Sequence, residues 1–388
     1  MNISLRQDSI LAGETAWREI DLSAVASNYR AIRAVVSPTT RILPCLKQDA
    51  YGCGAGQVAA TLATEGVDSF GVVSIRDALA VRKAVPAAQI LMYAGIGPKA
   101  VDLVRDLDLT ITISGEEDLR RWLLTRVRLR VFVKVDLGFW RAGVAPAGLE
   151  RLLDLCATEP AITLDGVYAH LSEFGEVGSS AAEQVARLTP ILERLKASGR
   201  LPATVMVSSS DTMMRHPEFD FDAVDPGALL FGVACPQPGG RDLVTRPALS
   251  AIKARIIALK QCDDSLGPTP RLPGYQASMR LAVLGIGWGH GVPRRLAPGS
   301  AAIVGGRRVP IVPPAHLEHL RIDVTDVPDI KLGDEAILLG YSGTSRITLP
   351  EIAAAWNTDE VGVSCGLRDS LVRCYAAHPS RLNQEKGE

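Results

Sequence analysis

The chain has 388 residues, of which 47% are hydrophobic, a length and composition that allow a large core and predict two domains. Lys and Arg number 42 against 43 Asp and Glu, so the formal net charge of −1 gives no reason to expect nucleic acid as a partner. No stretch is apolar for the about eighteen residues that a membrane span needs, and the start lacks the pattern of a secretory leader, so we expect no membrane association.

Between residues 23 and about 235, apolar runs alternate with segments of helical period. The runs cover residues 41–46, 69–73, 90–94, 109–113, 129–135, 163–169, 204–208 and 227–233. Eight strands separated by helices predict a (β/α)8 TIM barrel, in which functional groups gather at the carboxyl ends of the strands. Polar residues stand at or just after several of these ends, namely Lys47, Lys134, His170, Ser210 and Asp225.

Lys47 is the most informative of these residues, because it ends an apolar run and is followed by glycines. A poorly solvated amine has a lowered pKa, which makes it the nucleophile that a Schiff base with an aldehyde cofactor requires. Taken alone, a lysine at a strand end is more often one that reaches out to water.

Past about residue 243 the pattern changes to short β-branched runs broken by Gly and Pro, which is typical of a mainly antiparallel β domain. One helix is predicted near residues 349–356, and the domain boundary near residues 236–244. The predicted domains are therefore 15–240 and 241–378. The seven cysteines are scattered, without zinc-site spacing, so we expect no metal site and predict small buried side chains in a reducing cytoplasm.

The order Lys47-x-x-Ala-Tyr51-Gly-x-Gly resembles the cofactor-lysine motif of the alanine racemase family. The similarity recurs in order in five further blocks, at residues 133–144, 166–171, 224–232, 281–291 and 323–340. The resemblance implies a fold-type III enzyme that uses pyridoxal 5'-phosphate (PLP), with a barrel followed by a β domain on which the N-terminal strand, within residues 1–22, also packs. It further implies a homodimer with shared active sites, acting on a small-molecule amino acid.

By this resemblance, Lys47 binds the cofactor and removes the substrate α-proton on one face, while Tyr275 of the partner subunit serves the other. His170 is expected to connect Tyr275 to Asp225 through hydrogen bonds. Arg141 matches the arginine near the substrate carboxylate. Lys134 falls where many members carry a carbamate that holds this arginine, and the modification stays a hypothesis, favoured because Lys134 and Arg141 are otherwise a like-charge pair.

The family binds the cofactor phosphate at a turn that matches Gly227 and Ala228 here, since backbone N–H groups of such a turn favour an anion. Tyr51 and Ser210 are expected to add hydroxyl hydrogen bonds. A serine before a helix is more often an N-cap, a role compatible with phosphate binding.

The sequence departs from the family on the substrate side. Asp225 stands where the racemases have an arginine at the ring nitrogen, and a carboxylate there holds that nitrogen protonated, as in other PLP enzymes. Leu317 and Glu318 replace Met-Asp near the substrate carboxylate, and Asp369 stands where a tyrosine lines the substrate entrance. These changes predict a retained cofactor with an altered substrate or reaction.

Three functions are compatible with these residues. The first is a PLP-dependent amino-acid racemase that acts on alanine or on another amino acid. The second, favoured by Asp225, is a decarboxylase or aldolase-type lyase on the same fold. The third is a non-catalytic PLP-binding protein, against which the intact second half of the chain counts.

Overall fold

The computed structural model describes residues 11–172, 180–233, 240–263, 265, 267–268 and 274–375. The chain divides into two compact units, one formed by Ala24–Arg246 and the other by Met1–Ser23 together with Pro247–Glu388. The boundary predicted at residues 236–244 falls partly outside the described residues, as does Cys235. Among the described residues, no helix is both long enough and apolar enough to cross a membrane.

Strand β1 (Ala16–Ile20) belongs to the second unit, and the next eight strands form the sheet of the first. These are β2 (Arg41–Ile42), β3 (Ser69–Val72), β4 (Gln89–Met92), β5 (Leu109–Ile113), β6 (Leu129–Lys134), β7 (Ile162–Tyr168), β8 (Val205–Ser208) and β9 (Ala223–Val224). All neighbours are parallel in the order β2-β9-β8-β7-β6-β5-β4-β3. A parallel bridge between Cys45 and Gly71 links the two ends. The predicted barrel is confirmed.

The predicted position of the eighth strand was wrong. The strand covers Ala223–Val224, whereas Ala228–Phe231 of the predicted run form a 3-10 helix. Pro226 and Gly227 interrupt the extended backbone, and the apolar side chains that follow are buried in helical form. An apolar run this short does not distinguish a strand from a buried helix.

Helices alternate with the strands in this unit, and several carry N-terminal caps. They are α1 (Leu22–Val35), α2 (Ala55–Thr64), α3 (Ile75–Ala84), α4 (Val101–Asp106), α5 (Glu116–Leu123), α6 (Pro146–Thr158), α7 (Ala181–Ala197) and α8 (Ser210–Arg215), with 3-10 helices at Pro98–Ala100 and Pro217–Phe219. Ser74 caps α3 by accepting the backbone N–H of Asp77, and Ser180 with Glu183 forms a capping box at α7. The longer helices bury an apolar face, as in α7, where Val185, Leu188 and Ile191 are buried.

The second unit is a mainly antiparallel β structure, as predicted. Its further strands are β10 (Leu249–Gln261), β11 (Arg280–Leu284), β12 (Ala301–Val304), β13 (Arg307–Val312), β14 (Leu320–Asp323), β15 (Glu335–Ser342), β16 (Ser345–Ile347) and β17 (Val372–Tyr375). The antiparallel pairings β10–β11–β14–β13–β12–β15–β10 close a ring of six strands, so the ring has no open edge. Strand β1 pairs antiparallel with β10 and parallel with β17.

Short helical segments complete the second unit. Helix α9 (Leu349–Ala355) lies where a helix was predicted, and α10 (Glu360–Gly366) follows it. The sequence analysis did not predict α10, although Asp359 caps it by accepting the backbone N–H of Gly362. A 3-10 helix covers Trp288–His290.

Candidate active site

Lys47 opens a left-handed turn that follows strand β2. Residues Gln48, Asp49, Ala50 and Tyr51 all have φ between 53° and 55°, a conformation that costs a non-glycine residue about 1–2 kcal/mol. The strand itself is shorter than predicted, because it ends at Ile42. The turn brings two of the predicted site residues together, with the Lys47 Nζ 5.5 Å from the ring centroid of Tyr51.

Hydrogen bonds hold this strained turn in place. The amides of Ala50 and Gly52 donate to the carbonyls of Leu46 and Gln48, both at 3.0 Å. The Asp49 carboxylate accepts the N–H of Ala55 at 2.8 Å, which ties the turn to the start of α2. Backbone strain persists only where the surroundings over-determine it, and such strain clusters at functional sites.

A second turn, after strand β9, collects hydrogen-bond donors. The Ser210 hydroxyl accepts the backbone N–H groups of Gly227 and Leu229 at 3.0 and 3.2 Å. A Cβ added to Gly227 would overlap the hydroxyl of Tyr51, whose ring stacks on Phe231 with centroids 4.9 Å apart. Because Ser210 Oγ accepts both N–H groups, its own O–H remains a donor, and the Tyr51 hydroxyl lies beside the same turn. The two hydroxyls converge at a turn of the kind that suits a phosphate. Ala228 begins the short 3-10 helix that follows.

Asp225 lies directly before this turn and is only 8% exposed. Its Oδ2 accepts the hydroxyl of Tyr93 at 2.9 Å, whereas Oδ1 is buried without a hydrogen-bond partner among the described residues. Burial raises the pKa of Asp225 to about 7, although the Tyr93 hydrogen bond and the charges of Lys47 and Lys134 act in the opposite direction.

The predicted hydrogen bond between His170 and Asp225 is not formed among the described residues. His170 instead packs edge-to-face on Phe139, with ring centroids 5.7 Å apart. Burial, followed by the charges of Arg141, Lys47 and Lys134, lowers the pKa of His170 to about 3. The imidazole is therefore neutral near pH 7.

Lys134 ends strand β6, and Arg141 follows the adjoining loop. The Asp136 carboxylate shapes that loop by accepting the N–H groups of Gly138 and Phe139 at 3.0 and 2.9 Å. The Arg141 guanidinium carbon lies 3.9 Å from the ring centroid of Phe139. Burial, and then the charge of Arg141, lowers the pKa of Lys134. Burial likewise lowers the pKa of Arg141.

One cavity of about 390 Å³ at the carboxyl ends of the strands joins these groups. All the site residues predicted in the first unit line it: Lys47, Tyr51, Lys134, Arg141, His170, Ser210, Asp225, Gly227 and Ala228. The sequence analysis missed Cys45, Tyr93 and Tyr168, which also line it. Each stands at or near the end of a predicted strand, and this position could have identified it as a residue of the cavity.

The other two predicted residues belong to the second unit. Tyr275 packs against Met279, Leu281 and Val312, and the Arg321 guanidinium carbon lies 5.2 Å from its ring centroid. Burial raises the pKa of Tyr275, and the charge of Arg321 opposes that rise. The Leu317 side chain is 50% exposed.

Family models match both halves of the chain. The model of the alanine racemase N-terminal domain matches residues 20–235, and that of the alanine racemase C-terminal domain matches residues 252–375. This chain belongs to the alanine racemase family. The predicted resemblance is confirmed, and with it the prediction of an isomerase of this family, whose members depend on PLP.

Similar proteins cover nearly the whole length of this racemase-family chain. An alanine racemase of Symbiobacterium thermophilum is 30% identical over 92% of this chain and 96% of its own length. An alanine racemase of Sorangium cellulosum is 31% identical over 92% of this chain and 98% of its own length. Among solved structures, alanine racemase of Clostridium difficile 630 has a TM-score of 0.83 at 25% identity, covering 94% of this chain and 96% of that one. Alanine racemase of Bacillus anthracis, solved with bound L-Ala-P, has the same coverages and a TM-score of 0.84 at 24% identity, a likeness of fold.

Proposed function

We propose that this chain is a PLP-dependent amino-acid racemase that works by two-base transfer of the substrate α-proton. The observation that carries the proposal is the cavity in which Lys47, the donor-rich turn at Gly227 and the buried carboxyl group of Asp225 lie together. These three elements match a cofactor with an aldehyde, a phosphate and a ring nitrogen.

The residues of the cavity fit PLP. The N–H of Ala228, with the hydroxyls of Tyr51 and Ser210, would hold the phosphate. The Gly227 N–H, which donates to Ser210 Oγ, would hold that hydroxyl in place beside it. The Oδ1 of Asp225, which has no hydrogen-bond partner among the described residues, would accept the N–H of the ring. When bound, PLP supplies an aldehyde that links covalently to amines and a ring that acidifies the α-proton of the attached amino acid.

Inversion at the α-carbon requires a base on each face. Lys47 Nζ would hold the proton on one face of the substrate. On the other face, Tyr275 of the partner subunit would hold the proton on its hydroxyl oxygen. Within its own unit Tyr275 is accompanied by Arg321, whose charge opposes the rise in the tyrosine's pKa that burial causes. This assignment makes the homodimer part of the active site, so an isolated monomer would lack one base.

Arg141 would bind the substrate carboxylate, since a guanidinium suits a carboxylate geometrically and electrically. The lowered pKa of Lys134 increases the share of neutral amine, which is the form that reacts with carbon dioxide to give a carbamate. A carbamate on Lys134 would turn the like-charge pair with Arg141 into an attractive one. We propose this modification as the means of holding Arg141.

We propose that the substrate is an amino acid whose side chain differs from that of alanine. It rests on Leu317, Glu318 and Asp369, which stand where the family has other residues near the substrate. One specific observation favours a second function, a decarboxylase or aldolase-type lyase. A ring nitrogen kept protonated by Asp225 draws more charge into the ring, which makes bond cleavages other than proton loss accessible. The chain is proposed to act in the cytoplasm, where its free cysteines stay reduced.

Purified protein reconstituted with PLP tests the assignment of Lys47. Lys47→Ala should abolish the visible absorbance of the covalently attached cofactor, and persistence of that band would refute the role of Lys47. L-amino acids should then be incubated one at a time in deuterium oxide. Exchange of the α-proton with loss of optical rotation supports racemisation, whereas release of carbon dioxide or an aldehyde supports the lyase.

Tyr275→Phe tests the second base, because it removes the hydroxyl and keeps the ring that packs in the second unit. The variant should lose racemisation while Lys47-dependent α-proton exchange persists from one enantiomer. Full racemisation in both directions by this variant would contradict the two-base scheme.

A further inference from the structure

The only hydrogen bond that the described residues make to the side chain of Asp225 comes from Tyr93, just past the end of strand β4. The hydroxyl donates to Oδ2 at 2.9 Å, and Asp225 is 8% exposed. Oδ1 has no partner among the described residues. One carboxyl oxygen is therefore fixed by the protein, and the other is left for a ligand of the cavity.

The barrel makes room for the tyrosine through a glycine on the neighbouring strand. A Cβ added to Gly71 in β3 would lie 2.5 Å from the Tyr93 hydroxyl oxygen, far inside van der Waals contact. Gly71 has no left-handed backbone that would itself demand glycine. On its other side, the Tyr93 ring meets Tyr168 edge-on, with centroids 5.7 Å apart. Gly71 and Tyr168 thus confine the ring to the position in which its hydroxyl meets Asp225.

We propose that Tyr93 is the positioning residue for Asp225: its hydroxyl fixes Oδ2, stabilises the carboxylate and leaves Oδ1 as the acceptor for the cofactor ring nitrogen, and Gly71 provides the space that this requires. The inference rests on the proposed function, because it concerns how PLP is held. It assigns a role to Tyr93, a residue that no sequence motif of the chain indicates.

The groups around Asp225 have opposing effects on its pKa, so the hydrogen bond from Tyr93 influences its protonation state. Lys47 and Lys134 favour the carboxylate by their charge, while burial disfavours it most strongly. Cys45 and Tyr168 also face this group, and burial raises the pKa of both, so they stay neutral at neutral pH. Tyr93 is the neutral group that donates a hydrogen bond to the carboxylate, and losing such a bond to a charged acceptor shifts an equilibrium about ten- to a hundred-fold.

The first test uses the holoenzyme reconstituted with PLP labelled with ¹⁵N at the ring nitrogen. The ¹⁵N chemical shift reports directly whether that nitrogen carries a proton. We expect the protonated value in the wild type at neutral pH, and a shift toward the unprotonated value in Tyr93→Phe, because the proton moves to a more basic Asp225. Gly71→Ala should shift the resonance in the same direction, since it keeps the tyrosine but removes its space.

Tyr168→Phe is the matched control, because the hydroxyl of Tyr168 meets Thr112 at 3.0 Å and not Asp225. It should leave the ¹⁵N shift at the wild-type value. An unchanged shift in Tyr93→Phe and Gly71→Ala, or an equal change in Tyr168→Phe, would overturn the proposal.

The second test needs no cofactor and separates this inference from the proposed function. The infrared carbonyl band of protonated Asp225 is identified in the full apoprotein as the band that Asp225→Asn lacks, and is followed against pH. Tyr93→Phe should raise its midpoint by about one to two pH units. A midpoint that stays or falls refutes the positioning role. Failure of the wild type to bind PLP through Lys47 refutes the proposed function alone.

Discussion

The protonation of Asp225 should be visible in the stability of the protein. Its carboxyl group is buried in the lining of the cavity, and burial raises the pKa from the usual 3.8 to about 7. Because the folded pKa is raised, the folded protein binds more protons than the unfolded chain between these two values. The free energy of unfolding therefore falls as the pH rises from about 4 to about 7. Asp225→Asn removes this titration.

The size of the effect follows from the shift. A rise of about 3 pKa units at about 1.4 kcal/mol per unit corresponds to about 4 kcal/mol of unfolding free energy. Below pH 4 both proteins carry a neutral side chain at position 225, so the pH-dependent difference between them is small. Above pH 7 the wild type should have lost about 4 kcal/mol relative to Asp225→Asn.

The assay is urea unfolding of the two apoproteins at a series of pH values, with the difference in unfolding free energy plotted against pH. Burial also raises the pKa of Asp77 and Asp220. These residues are common to both proteins and cancel in the difference. A difference that stays flat from pH 4 to 8 would show that Asp225 is not held in a desolvated position.

Three further outcomes are expected. Gly227→Ala should weaken PLP binding at least ten-fold in a spectroscopic titration, because the new methyl group collides with the Tyr51 hydroxyl; unchanged affinity would place the phosphate elsewhere. Gln48→Gly should stabilise the protein by up to about 1 kcal/mol in urea unfolding, because glycine adopts the left-handed conformation freely, and destabilisation would contradict the strain argument. His170 should not titrate between pH 5 and 8 in NMR spectra, since its pKa is lowered to about 3; a midpoint near 6.5 would contradict its burial.

The sequence was sufficient to predict the barrel because each strand is a buried apolar run and each helix has an apolar stripe. It failed where that signal is ambiguous. At residues 227–233, burial of a short helix looks the same as burial of a strand, and at residues 41–46 the extended pairing stops after two residues. The six-strand ring of the second unit depends on pairings between distant segments, which no local pattern encodes.

At the site, the Lys47 motif together with the further blocks of resemblance was enough to predict most of the polar residues that line the cavity. Contacts between residues distant in sequence were harder: the expected His170–Asp225 hydrogen bond is not formed among the described residues, and the one from Tyr93 was not foreseen. The bond from Tyr93 to Asp225 joins residues 132 positions apart, so its absence from the prediction is expected. The reason for a glycine at position 71 becomes apparent only when the position of the Tyr93 ring is known, because a Cβ there would overlap that ring. The left-handed turn from Gln48 to Tyr51 could not be predicted from the sequence either, because glycine is the residue that signals such a conformation and none of these residues is a glycine.

The pairing of β1 with both β10 and β17 bears on how the protein matures on the ribosome. Trp17 lies opposite Lys253 on one side and Val372 on the other, so the first strand finds its neighbours only after the segments far downstream have emerged. The barrel segment, contiguous from Ala24 to Arg246, can condense earlier because its contacts are closer along the chain. Until β10 has been synthesised, neither of the strands that β1 pairs with is available, so both edges of β1 are exposed to aggregation.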